Sequence, residues 1–378
     1  MHYLDNAATT PVVPEVIQVV SETLAAHFAN PSSLYRLGFK AEREIDKSRK
    51  EIAKALGCTW AEVIFTASGT ESNNIALLGA AAARKGWGSH LVTTGYEHPS
   101  VIKPLERLAL EEGFSLAIVA PGADGTVDID EIVKAVRGDT ALVAAMQVNN
   151  ETGAIIDVAA LAEKVKAKNP RTAVHVDGVQ GFTRLPLRLA GTKIDSYAVS
   201  GHKLHAPKGV GALYLRKGYT LHPPMLGGGQ ENALRPGTEN TAYIVGFAKA
   251  VALAGKKHIA AQQTTQQLQQ QLLQGLAALP GVVVNSPAGG YAGIVNFSLP
   301  GVRSETMLHF LEERSVYVSS GSACNKGGRS HTLSAMNLPD KRIDCALRVS
   351  FSGENTPADV EALLAGLQAG LGSLARPK

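Results

Sequence analysis

One short run, Ser200-Gly201-His202-Lys203, brings a lysine to the end of an apolar stretch, among small and polar residues. A turn rich in glycine and proline, residues 204–211, follows it. A lone lysine is ordinarily a surface cation, because its ammonium group loses hydration when buried. At the carboxyl end of a strand in an open α/β sheet, however, it stands where ligands bind. Desolvation there lowers its pKa, and the neutral amine can form a Schiff base with a carbonyl cofactor such as pyridoxal phosphate.

Such a cofactor needs an acidic partner for its pyridinium nitrogen, so that the ring stays protonated and draws electrons. The apolar run Ala173-Val174-His175-Val176-Asp177 ends in a carboxylate 26 residues before Lys203. A strand-end aspartate alone often only caps a turn; together with Lys203 it reads as that partner. Gln180, three residues on, can donate to the ring's phenolic oxygen. The phosphate needs clustered donors, and Ser68-Gly69-Thr70-Glu71-Ser72-Asn73-Asn74 follows a strand-like run and opens a helical one. Unpaired N–H groups and the positive dipole end at a helix start suit an anion. No Gly-Lys-Ser/Thr follows, which disfavours a nucleoside triphosphate loop. Ser200 and His202 offer further donors. His98, within Tyr96-Glu97-His98-Pro99, reads either as an ordinary loop histidine or as an imidazole stacked on a pyridine ring. The 11 histidines make no HExxH or paired Cys/His spacing, so no metal site is expected.

These groups need a scaffold that carries them to one edge. Seven strand-like runs, 62–66, 90–94, 115–119, 142–147, 173–176, 196–200 and 209–215, predict a large sheet. Helical patterns lie between most of them, as parallel crossovers require. Residues 38–57 predict an amphipathic helix with Ile45, Ile52 and Leu56 on one face and Gly57 as its stop. The glutamine-rich stretch 247–278 repeats Leu268, Leu272, Leu273 and Leu276 at helical spacing and predicts a long helix joining two domains. Strand-like runs at 282–284 and 294–297, with helices near 305–314 and 357–374, predict a smaller α+β domain. The expected division is 14–254 for the large domain, and 1–13 with 255–378 for the small one.

With 378 residues, 45% hydrophobic and 19% charged, the chain is neither disordered nor collagen-like. Its net charge of +4 is spread without a basic block, so nothing argues for nucleic-acid binding. No apolar stretch reaches the 18 or so residues of a membrane span, and Met1-His2-Tyr3-Leu4-Asp5 does not read as a secretory signal. Three cysteines, Cys58, Cys324 and Cys345, make a poor disulfide framework, so a reducing cytoplasm is expected. Cys324 stands apart: it lies in Ser320-Gly321-Ser322-Ala323-Cys324-Asn325-Lys326-Gly327-Gly328, a run with almost no bulk, near Lys326 and Arg329. Exposure and nearby positive charge are what favour a reactive thiolate.

Several of these elements occur in one order. Tyr3-Leu4-Asp5-Asn6-Ala7-Ala8-Thr9-Thr10, the 68–74 turn, Glu97-His98 and Val148-Asn149-Asn150-Glu151-Thr152-Gly153 come first. His175-Val176-Asp177, Ser200-Gly201-His202-Lys203, Arg235-Pro236-Gly237-Thr238 and Ser319-Ser320-Gly321-Ser322-Ala323-Cys324 follow. From about residue 3 to residue 352 the chain resembles the cysteine desulfurases of the NifS/IscS type. That group belongs to the class V aminotransferases among fold-type I pyridoxal phosphate enzymes. The resemblance implies a large domain with a mostly parallel, mixed seven-stranded sheet flanked by helices, plus the smaller α+β domain.

It also implies roles. Lys203 would bond the cofactor, Asp177 would pair with the pyridinium nitrogen and Gln180 with the phenolic oxygen. His98 would stack on the ring and relay protons. Gly69, Thr70, Ser200 and His202 would hold the phosphate, and Thr238 would reach the phosphate of the other subunit in a homodimer. Asn150 and Arg348 would bind substrate, with Arg348 on the α-carboxylate, a task that suits a planar guanidinium. Cys324 would accept sulfur from L-cysteine as a persulfide, leaving L-alanine, and would pass it to an acceptor such as an iron–sulfur cluster scaffold. Residues 325–331 depart from the Ser/Thr-rich stretch ending in Glu-Pro-Ser that this type more often carries. The chain also lacks the Arg-x-Gly-His-x-Cys element of the second type. The rival expectations are a selenocysteine lyase, an aminotransferase of the same fold, and a sulfur-carrier or scaffold protein without turnover.

Overall fold

A computed structural model of the chain describes residues 1–320 and 329–374. The chain opens with β1 (His2–Tyr3), α1 (Pro14–Ala26) and α2 (Arg36–Leu56). Then come β2 (Val63–Thr66), α3 (Gly69–Arg84), β3 (His90–Thr94), α4 (Pro99–Glu111), β4 (Ser115–Val119) and α5 (Ile129–Ala135). The series continues through β5 (Thr140–Met146), α6 (Val158–Lys168), β6 (Ala173–Asp177), β7 (Ser196–Ser200) and β8 (Gly211–Leu215). The helix α7 (Thr241–Ala277) leads to β9 (Val283–Val284), β10 (Ile294–Ser298), α8 (Ser304–Glu312) and β11 (Val316–Tyr317). Last come α9 (His331–Ala335), α10 (Asp340–Ile343), β12 (Ala346–Ser350) and α11 (Pro357–Ser373).

The seven expected strands form one sheet, ordered β2-β8-β7-β6-β5-β3-β4. β8 runs antiparallel to both neighbours and every other pair is parallel, so β2, β3, β5, β6 and β7 all end at the same edge. The inner strands are buried along their whole length, as a sheet covered on both faces must be. Alternate residues of β5 divide between the faces: Val143 and Ala145 pack with Ile52, Leu161 and Phe247, whereas Leu142 and Ala144 pack with Ile75, Leu77 and Leu105. The helix α2 ends where Gly57 turns left-handed at φ 65°, a conformation that suits a residue without Cβ.

The 37-residue helix α7 crosses from one core to another. Its Phe247 and Val251 lie in the large-sheet core, and its Leu268, Leu272 and Leu276 pack with Val295, Phe297, Leu347 and Leu363. This second core backs the antiparallel sheet β12-β10-β9, while β1 pairs with β11 in parallel. The helices α8 and α11 of the small region were visible as sequence periodicity. β12 and α1 were not: Arg348 interrupts the apolar run of β12, and only two residues of α1 are buried. Among the described residues no helix is long and apolar enough to cross a membrane.

One buried ion cluster keeps two site-bearing strands in register. Asp195, fully buried just before β7, accepts from the backbone N–H of Val174 on β6 at 2.8 Å, from Lys166 Nζ at 2.6 Å and from Arg216 Nε at 3.0 Å. Removing the carboxylate leaves a buried ammonium group and a strand N–H without their acceptor. Asp195→Ala should therefore cost about 3–5 kcal/mol of unfolding free energy in a urea titration. A loss below about 1 kcal/mol would show that the cluster does not clamp β6 to β7.

Candidate active site

Five strand ends converge on one small cavity of about 170 Å³. After β2 come Ser68, Gly69 and Thr70; after β3, His98 and Ser100; after β5, Asn150; from β6, Asp177 and then Gln180; from β7, Ser200, His202 and Lys203. Arg348, from β12, and Ala7 and Ala8, from the N-terminal segment, close the other side. A larger cavity of about 410 Å³ also touches Lys203, but Asp177 is not in its wall. Only the smaller one brings the lysine and the carboxylate together.

The Lys203 ammonium donates to the carbonyl oxygens of Ala7 at 2.6 Å and Ala8 at 2.7 Å. Thr10 donates to the His202 carbonyl, and Thr9 Oγ1 lies 3.1 Å from His202 Nδ1. The Asn-Ala-Ala-Thr-Thr run therefore forms a collar around the lysine, through the carbonyls of Ala7 and Ala8 and the hydroxyls of Thr9 and Thr10. Gln180 donates to the Ala7 carbonyl at 2.9 Å and its side-chain oxygen accepts from Arg184. That contact fixes which way the amide points and leaves its second N–H available.

Asp177 is 4% exposed, and its oxygens accept from Asn73 Nδ2 at 2.8 Å and from the Val179 N–H at 3.0 Å. His98 caps α4 and accepts from the Ser100 N–H through Nδ1. Burial pushes the His98 imidazole below its ordinary value; nearby Asp177 opposes that shift and Lys203 adds to it. Burial, with Lys203, Lys208 and Arg184 around it, takes His202 down to about 4. Beneath them, burial raises Glu97 to about 8, against hydrogen bonds from Thr94 and the Met146 N–H. Glu97 is thus a neutral acid at pH 7, whereas His98 and His202 are neutral bases.

Arg348 is 1% exposed. It donates to Asp5 Oδ1 at 2.5 Å and to the Asn150 carbonyl at 3.1 Å, and its Nε has no partner among the described residues. Ser319 and Arg348 exchange backbone hydrogen bonds at 3.1 and 2.7 Å. On the far side of residues 321–328, Ser330 Oγ donates to Glu151 Oε2 at 2.5 Å, beside Asn150. Cys324 itself lies outside the described residues. Burial raises the thiols of Cys58, to about 12, and Cys345, which makes both poor nucleophiles. Thr238 is exposed and does not line the cavity.

The donor set suits a phosphorylated pyridine aldehyde. A Cβ at Gly69 would lie 2.6 Å from Val179 Cγ2, so a glycine there lets the start of α3 approach the turn after β6 this closely. That leaves helix N–H groups beside Ser200 and His202 at one end of the cavity and a buried carboxylate at the other. The aminotransferase class-V family model matches residues 2–363. The chain belongs to the class V aminotransferase family.

Members of this family are pyridoxal phosphate enzymes, and so is this chain. It is 37% identical over 365 residues to a protein named cysteine desulfurase IscS from Methanosarcina thermophila, covering 96% of this chain and 90% of that one. A solved NifS-like protein superposes with a TM-score of 0.93 at 34% identity, over 98% of this chain and 99% of the other. A structure titled SspA in complex with cysteine matches with a TM-score of 0.83 at 30% identity, over 94% and 100%.

Among the described residues, every expected site residue except Thr238 lines the one cavity. Asn73, Ser100, Arg184 and Glu151 were not foreseen as functional, because their partners lie far away in sequence. The low value at His202 has a consequence for acid stability. Between its ordinary value of about 6.5 and the folded value of about 4, the unfolded chain takes up a proton that the folded chain refuses. Stability should therefore fall as the pH drops through that window. An NMR titration of the His202 ring should show a midpoint near 4; one near 6.5 would mean the imidazole is solvated.

Proposed function

We propose that this chain, a pyridoxal phosphate-dependent cysteine desulfurase, takes the sulfur of L-cysteine onto Cys324 and releases L-alanine. The observation that carries this reading is that the described residues flanking 321–328 are bonded to the substrate end of the cavity. Ser319 is bonded to Arg348, and Ser330 to the residue after Asn150.

When bound, pyridoxal phosphate supplies an electron sink for the carbanion left as the substrate Cα loses its proton. Lys203 would hold the cofactor covalently until the substrate amine takes its place, and its freed Nζ would then take that Cα proton. Asp177 would face the pyridinium nitrogen, Gln180 the phenolic oxygen and His98 the ring face. Gly69, Thr70, Ser200 and His202 would hold the phosphate. Arg348, with the unpartnered Nε, would bind the substrate carboxylate alongside Asn150. The Cys324 thiolate attacks the substrate sulfur. An S–S bond forms as the C–S bond breaks, the electron pair stays with the carbon portion, and protonation gives L-alanine.

The persulfide then passes to an acceptor, for which an iron–sulfur cluster scaffold is the expected class. A homodimer belongs to the same proposal. Phe28, Leu34, Tyr35 and Phe39 are exposed along one stretch, and a second copy of the chain would cover such a face. Thr238 follows a turn in which Glu231, Asn232 and Ala233 are all left-handed, held by Arg49 on Glu231 at 2.7 Å. Such a pinned, exposed segment suits a reach into the partner's phosphate site. Residues 14–254 form the large domain and 1–13 with 255–378 the small one, a division supported by the change of core along α7. Work in a reducing cytoplasm fits a chain whose Cys58 and Cys345 are free thiols.

Cys324→Ser should keep the yellow cofactor and still bind L-cysteine, while sulfide and alanine production fall by several orders of magnitude. Mass spectrometry of the unreduced parent after turnover should find added sulfur on the Cys324 peptide alone. Normal turnover by Cys324→Ser would exclude a protein persulfide.

A further inference from the structure

Asn73, fully buried on α3, touches three polar groups of the site. Its Nδ2 donates to Asp177 Oδ2 and to Ser100 Oγ, each at 2.8 Å, and its Oδ1 lies 2.9 Å from His175 Nε2. The amide cannot be reversed, because an ionised carboxylate only accepts and the atom facing it must be a donor. Oδ1 then needs a donor of its own. His175 therefore carries its proton on Nε2, and its Nδ1 accepts from the Ser196 hydroxyl at 2.9 Å. Burial keeps this imidazole neutral, which agrees with a single ring N–H.

The other branch leads to His98. Ser100 Oγ accepts from Asn73, so its hydroxyl proton is directed to His98 Nδ1 at 2.7 Å. The Ser100 backbone N–H reaches the same nitrogen at 3.1 Å. Two donors on Nδ1 leave the ring proton of the neutral imidazole on Nε2.

We propose that Asn73 is a positioning residue that fixes the Asp177 carboxylate and the His98 tautomer together. The proposal rests on the reading of Asp177 and His98 as cofactor contacts. One amide thus couples the group facing the ring nitrogen to the group over the ring face, so that neither shifts alone.

Asn73→Asp keeps the shape and the acceptor for His175, but sets a second carboxyl group against Asp177. At low pH that group holds a proton and can donate it to Asp177; as the pH rises it loses the proton and two like charges meet. The holoenzyme variant should gain an alkaline limb in its pH–rate profile that the parent lacks. Turnover beyond the limb should drop roughly 10- to 100-fold, the usual effect of losing an outer hydrogen-bond partner. In the cofactor-free parent, 15N NMR should find His98 Nδ1 unprotonated. Ser100→Ala, which removes the hydroxyl donor to Nδ1, should shift that resonance. A parent-like pH profile for Asn73→Asp, or a proton on Nδ1 of His98 in the parent, would overturn the proposal. The resonance is read without cofactor, so it fails or holds separately from the assignments of Lys203 and Cys324.

Discussion

A buried carboxylate at the end of a central strand constrains the rest of this molecule. Asp177 closes β6 with almost no solvent around it, and a charge so placed must be hydrogen-bonded or neutralised. Its two donors come from the turn that follows and from the first turns of α3. α3 must therefore start close to β6 and β7, which Gly69 permits. That same start presents free N–H groups beside Ser200 and His202. The distance between a negative group and an anion-binding helix end is thus built into the sheet, as a phosphorylated pyridine requires.

Charge balance follows from the same constraint. Lys203 and Arg348 line the cavity and Arg184 stands behind Lys203, against Asp177 in the wall and Asp5 behind Arg348. Glu97 adds no second charge behind Asp177, because burial keeps it protonated near neutrality. The histidines stay neutral as well, so the substrate carboxylate meets the fixed charge of Arg348 rather than a titrating imidazole. The preorganised donors and charges act in a site that water reaches poorly, where such groups are most effective.

Much of this was legible in the sequence, for physical reasons. Strands buried on both faces leave continuous apolar runs, and the groups at their carboxyl ends, Asp177 and Lys203 above all, stand where the runs stop. Gly57 and Gly69 mark positions where a Cβ would be strained or obstructed. What escaped was long-range. The Arg348–Asp5 pair spans 343 residues and the Ser330–Glu151 bond 179, and no local pattern announces either. Asn73 looked like one more polar residue at a helix start, and only the sheet brings it under Asp177. β12 escaped because its central arginine, which would break an exposed strand's alternation, is here turned to Asp5 and the Asn150 carbonyl.

The fate of the sulfur and the carbon product that accompanies it decide whether Cys324 is the acceptor. Purified protein given L-cysteine and a thiol reductant should release L-alanine and sulfide in equal amounts, with cysteine consumed one for one. Pyruvate and ammonia in place of alanine would mean elimination without a protein thiol, and would contradict transfer onto Cys324.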